Sequence, residues 1–137
     1  MSGYITLKVD AETSAVTIET VKSDVAPTLA EMQKIVGGMI TPLFTRNSPY
    51  RKNHAITGYV NDEGLLIGLP HGIIFRPADA TFDELQLIAG NLVICGLNEK
   101  TGDSTELDEL EIAFMMKHIH NVSANGGIRY TLVEEVI

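Results

Sequence analysis

Apolar and polar positions alternate with a period of two in "YITLKVD", where Ile5 and Leu7 oppose Thr6 and Lys8. "SAVTIETV" repeats the pattern, with Val16 and Ile18 against Thr17 and Glu19. Period-two alternation predicts two half-buried strands, and "AETS" between them supplies the turn of an N-terminal hairpin. The period then changes. In "SDVAPTLAEMQKIVGG", Leu29, Met32, Ile35 and Val36 form one helical stripe, Pro27 or Thr28 opens the helix, and Glu31 follows Thr28 at capping-box spacing. Gly37 and Gly38 end that helix, and "MITPLF" continues as a β-prone run that Pro42 keeps from pairing along its whole length in the middle of a sheet.

The polar segment "TRNSPYRKNH" predicts an exposed loop or wide hairpin connection. "AITGYVNDEGLLIGLP" follows as strand, tight turn at Asn61 to Gly64, and strand again, ended by Pro70. "GIIFRP" predicts a short strand, "TFDELQLIAG" one or two helical turns with Thr81 and Glu84 at capping-box spacing, and "NLVICGL" a buried strand. A loop then leads into the longest expected helix, in which Leu107, Leu110, Phe114, Met115 and Ile119 recur at helical spacing. Acids crowd its start, and Lys117, His118 and His120 its end, in accord with the helix dipole. "NGG" closes it, and "IRYTLVEEV" alternates as a last strand.

Strands outnumber helices and often follow one another through short turns. This predicts an α+β fold, a mixed and mainly antiparallel sheet with two or three helices packed on one face. No strand runs through a G-x-G-x-x-G turn into a helix, so a dinucleotide-binding architecture is not expected.

Composition narrows the functional classes. A chain of 137 residues with 45% hydrophobic and 20% charged residues predicts a single compact domain, 1–137, large enough to bury a conventional core. Cys95 is the only cysteine; set in an apolar run, it is expected to behave as a small buried hydrophobe, and a reducing compartment fits. "MSGYITLKVD" has no secretory-leader pattern and no run reaches the ~18 apolar residues of a bilayer span, so a cytoplasmic protein without membrane contact is expected. The formal charge of −8 argues against general nucleic-acid binding, which draws on lysine and arginine.

"EMQKIVGGMI", "VNDEGLLIGLP" and "IAGNLVICG", in that order and at about these spacings, resemble a family of small proteins carried mostly by bacteriophages, prophages and plasmids and catalogued as a domain of unknown function. The resemblance covers roughly residues 28–96. Met39 and Thr41 stand where the family commonly has an aromatic and a glutamate, and His71 follows Leu69 and Pro70 where it has asparagine. The resemblance implies a phage-type accessory protein and brings no established activity with it.

Catalytic chemistry finds little support in the residue pattern. His54, His71, His118 and His120 are the available imidazoles, but the last two are two residues apart, which on a helix turns them to different faces; no metal is expected. Asp62–Glu63 and Asp83–Glu84 are neighbouring acids of the kind that cap helices or stay solvated, and no G-x-S-x-G is present. No cofactor is expected, and a non-enzymatic role is favoured. The leading expectation is binding to a host or phage protein, with a homodimer as one form this would take.

Two alternatives stay open. In one, a nucleotide-like molecule is held by the Gly37–Gly38 turn together with the basic loop, where Arg46, Arg51, Lys52 and His54 surround Tyr50 and where phosphate and base contacts would be made. As exposed loop charges, Arg46, Arg51 and Lys52 are expected to contribute little to stability. In the other, Glu106, Asp108, Glu109 and Glu111 present an acidic face that mimics nucleic acid.

Overall fold

The computed structural model describes residues 2–78, 85–123 and 129–135. Strands β1 (Gly3–Val9) and β2 (Val16–Lys22) form the expected N-terminal hairpin, with Ile5 opposite Thr20 and Leu7 opposite Ile18. Helix α1 (Leu29–Val36) follows, then β3 (Ile40–Asn47), β4 (His54–Asn61), β5 (His71–Arg76), β6 (Gln86–Ala89), β7 (Leu92–Asn98), β8 (Ser104–Thr105), α2 (Glu109–Met116), β9 (Ile119–Ser123) and β10 (Arg129–Glu134). The fold is α+β with mostly antiparallel pairing, but the strands divide into two sheets. One has the order β2-β1-β7-β4-β3, with β8 attached to β7; the other has the order β6-β5-β10-β9, in which β5 and β10 are parallel.

Strand β7 explains the layering. Its run Leu92–Gly96 is buried throughout, which requires cover on both faces of the sheet. Val93 and Cys95 pack with Tyr4 of β1 and with Met32 and Val36 of α1. Leu92 and Ile94, together with Ile5 and Leu7 of β1, face the other way into a larger core shared with Ile73 and Phe75 of β5, Val133 of β10, and Ile112 and Met115 of α2. The two helices therefore lie on opposite faces of the six-stranded sheet, rather than two or three helices sharing one face.

Helix α1 is built as its sequence dictates. Thr28 Oγ1 accepts the Glu31 N–H at 3.1 Å and the Glu31 carboxylate accepts the Thr28 N–H at 3.0 Å, closing the capping box. Hydrogen bonding from Thr28, its backbone N–H first and its hydroxyl second, holds the Glu31 carboxyl below its usual range. Gly37 ends the helix at φ +81°, and a Cβ there would meet nothing nearer than the Asn61 amide at 4.0 Å. The expected effect of Gly37→Ala is thus conformational alone, a loss of about 1 kcal/mol in urea unfolding; an unchanged midpoint would contradict the cap.

Four expectations give way to long-range pairing. Leu107 exchanges backbone hydrogen bonds with Gly3, at 3.0 and 2.7 Å, so the last helix cannot begin before it, and Ile119 pairs with Val133, so His118 lies in the turn after α2 and His120 on β9. Residues 65–67 form turns instead of a returning strand, because both edges of β4 are already taken by β3 and β7. Gln86–Ala89 is a strand on the edge of β5, with Ile88 buried and Leu87 outward, where helical turns were expected. Thr81 and Glu84, and the glycines of "NGG", fall outside the described residues. As Pro42 predicts, β3 is an edge strand, and its register shifts between Pro42 and Phe44.

Candidate functional site

The glycine pair has its N–H groups engaged. Both Gly37 and Gly38 donate to the Gln33 carbonyl, at 2.8 and 3.0 Å. The next carbonyls of the helix end are taken by two asparagine side chains: Asn61 Nδ2 donates to Val36 O at 3.0 Å and Asn91 Nδ2 to Ile35 O at 2.9 Å. A carbonyl-rich helix end carries the negative end of the dipole, and the Gln33, Ile35 and Val36 carbonyls of this one are taken up by its own chain.

The two arginines of the basic segment are likewise engaged by the protein itself. Arg46 sits on β3, with its guanidinium 4.7 Å from the centre of the Phe114 ring; burial disfavours its charge, and Glu135 offsets this in part. Tyr50 meets the edge of the same ring, half-exposed, at 6.2 Å between centroids. Arg51 is the hub. Its Nη2 donates to Glu111 Oε1 at 2.6 Å and to Glu106 O at 2.8 Å, and its guanidinium lies 3.4 Å from the Glu106 carboxylate and 3.6 Å from that of Asp108. Glu111 is fully buried and also closes the capping box of α2 with Asp108. Three of the four acids considered for a mimic face therefore converge on one part-buried arginine, while Glu109 is exposed. Lys52 is exposed, and the His54 ring contacts the Lys52 carbonyl at 3.0 Å.

Gly37–Gly38 and the 46–54 loop lie at opposite ends of the β3–β4 hairpin, where Ile40 pairs with Asn61 and Asn47 with Ala55. At roughly 3.3 Å of rise per residue they are about 20 Å apart along the strands. The structure does not bring the two halves of the nucleotide candidate together. A shallow polar hollow of about 310 Å³ beside the loop is lined by Arg51, Lys52 and His54, with the Glu99 carboxylate among them.

The remaining chemical candidates are dispersed. His71 is exposed at the start of β5, His118 packs against Phe114 and is held below the usual histidine range chiefly by burial, and His120 Nε2 lies 2.6 Å from Glu134 Oε1. Among the described residues no group of three His, Cys, Asp or Glu side chains is placed to hold a metal. Burial pushes the Cys95 thiol up to about 12, which leaves it protonated at neutral pH. Asp83 and Glu84 lie outside the described residues. No described helix is long and apolar enough to cross a membrane.

The structure instead assembles an apolar surface that the chain's periodicity does not single out. Leu65, Leu66 and Ile67 stand 68, 87 and 54% exposed at the tip of the β4–β5 connection. Beneath them is a cleft of about 500 Å³ walled by residues 41–43 of β3, residues 60–66, and all of β6. The Asp62 N–H donates to Met39 O at 2.8 Å and the Glu63 N–H to Asn61 Oδ1 at 2.7 Å, which fixes the main chain of the turn, and both acids are exposed residues of the cleft lining. A Cβ on Gly64 would collide with the Ala89 carbonyl, so this turn packs directly on the end of β6. The available signal was three consecutive aliphatics set between Gly64 and Gly68, too short and too punctuated for a strand with no free neighbour.

A layered α+β scaffold with an apolar cleft between the edges of its two sheets is the class that this geometry defines. The chain belongs to the family described as Domain of unknown function (DUF3846), whose profile matches residues 5–120. That match takes in most of β1 and all of α2, well beyond the segment of 28–96 that carries the motif resemblance. No curated protein and no solved structure matches the chain.

Proposed function

We propose that this is a non-catalytic accessory protein of phage type, acting in the host cytoplasm by binding a host or phage protein through the 65–67 tip and the cleft below it. The observation that carries the reading is the tip itself. Three adjacent large aliphatics in water forgo about 2 kcal/mol each relative to burial, which a partner's surface recovers. Leu66→Ser is accordingly expected to leave unfolding free energy within about 0.5 kcal/mol of the parent.

Site-specific photo-crosslinking tests the reading. A photoreactive residue at Leu66 is expected to trap one discrete host or phage protein in infected cells, while the same residue at exposed Thr17 on β2 traps none. Equal trapping at both positions, or none at Leu66, would overturn it.

A further inference from the structure

We propose that the cleft receives an extended segment of a protein chain, carrying large apolar and basic side chains, that adds as a fifth strand along the free edge of β6. This rests on the partner-binding reading and specifies what part of a partner enters. Side chains of a strand alternate between its faces, so four consecutive residues line a cleft only along the strand's edge, and all four residues of β6 do so. Among the described residues no strand pairs with its outer edge, because β6 is the terminal strand of its sheet. In an antiparallel or parallel ladder alternate residues turn their N–H and C=O to one side, so along Gln86–Ile88, clear of the Ala89 carbonyl against which Gly64 sits, at least one residue presents both groups to the cleft.

The opposite wall does not offer an equal template. Pro42 has no N–H, and the register shift between Pro42 and Phe44 breaks the ladder of β3 at the same level. An added strand therefore pairs with β6 and lies against β3. Its alternate side chains meet Leu87, which is 46% exposed, and the leucines of the tip. This is the geometry of strand addition, in which main-chain hydrogen bonds give affinity and side-chain subsites give selectivity.

Charge selects the occupant. The lining includes the acidic residues Asp62 and Glu63 and, among the described residues, no lysine, arginine or histidine, on a chain of formal charge −8. A basic segment is attracted and an acidic one repelled. A second copy of this chain is the poorer occupant, since β6-to-β6 pairing would bring two such acidic rims together while "LQLIA" offers no cation in return.

Titration of the full-length protein with a capped six-residue peptide alternating lysine and leucine tests the inference by amide chemical shifts and calorimetry. The expected result is binding that perturbs β6 and residues 62–66, weakens with salt, and is lost in Leu87→Lys. Methylating the peptide nitrogens that face β6 is expected to weaken binding roughly fivefold or more, as the loss of a backbone hydrogen bond requires. A peptide with glutamate for lysine is expected not to bind. Equal binding of the methylated or the glutamate peptide, shifts outside the cleft, or no binding at all would overturn strand addition. Sedimentation showing self-association that Leu87→Lys abolishes would also overturn it, in favour of a second copy. Failure here together with a protein trapped at Leu66 would leave partner binding standing and remove only the strand.

Discussion

Arg51→Ala is expected to destabilise the protein by about 3 kcal/mol, because it strands a carboxylate in the interior. Glu111 has no solvent exposure, its Oε1 is held by Arg51 Nη2 and by the Asp108 N–H at 2.9 Å, and its Oε2 already lacks a partner among the described residues. Without the guanidinium the charge keeps one backbone hydrogen bond and loses its counter-ion. Arg51 itself is 23% exposed, so some screening by water places the effect at the lower end of the range for broken buried pairs. Urea unfolding checks the value, and a cost below about 1 kcal/mol would show that the pair is solvated. Lys52→Ala, on an exposed side chain, is expected to change little, so the stability loss in a triple substitution of Arg46, Arg51 and Lys52 resides mainly in Arg51. This corrects the expectation that all three are expendable loop charges. Adding Glu111→Gln to Arg51→Ala is expected to recover part of the loss, since it removes the stranded charge while keeping an acceptor for the capping box.

What local chemistry controls was legible along the chain. Alternation placed β1 and β2, the Thr28 and Glu31 pair placed the start of α1, Gly37 placed its end, and Pro42 placed β3 at an edge. What depends on partners distant in sequence was not. Leu107 and Ile119 fit a helical period, yet each is extended because a strand is available to it, Gly3 for one and Val133 for the other. One local signal did mark the true start of α2: Asp108 and Glu111 stand at capping-box spacing, and the box forms. The acids there answer to the helix dipole, but the stronger constraint on Glu111 is an arginine sixty positions away in sequence, which no local pattern reveals. The cleft is illegible for the same reason. Its walls come from three separate segments, and the exposure of Leu65 and Leu66 follows from β3 and β7 having already occupied both edges of β4.

Phe75→Ala is expected to cost about 4 kcal/mol, a large share of the stability of a domain this size. Phe75 of β5 stacks on Phe44 of β3, with centroids 5.5 Å apart and planes 9° from parallel, and both rings are buried. The contact joins one sheet to the other beside the cleft, since Phe44 follows the wall residues of β3 and Phe75 pairs with Gln86 of β6. Gly58 lies under the Phe44 ring so closely that a Cβ there would collide with it, which fixes the ring from below. Truncating Phe75 thus removes transfer energy and the stacked partner while Phe44 has little freedom to swing into the space. Phe75→Leu keeps most of the volume and is expected to cost about 1.5 kcal/mol, the difference measuring how far the gap fails to close. If Phe75→Ala costs less than about 2 kcal/mol in urea unfolding, the sheets collapse over the gap and the ring pair does not set their spacing. If the larger value holds, the width of the cleft between β3 and β6 is set by two buried rings, and Phe75→Leu, still folded, is expected to bind the lysine–leucine peptide more weakly than the parent protein does.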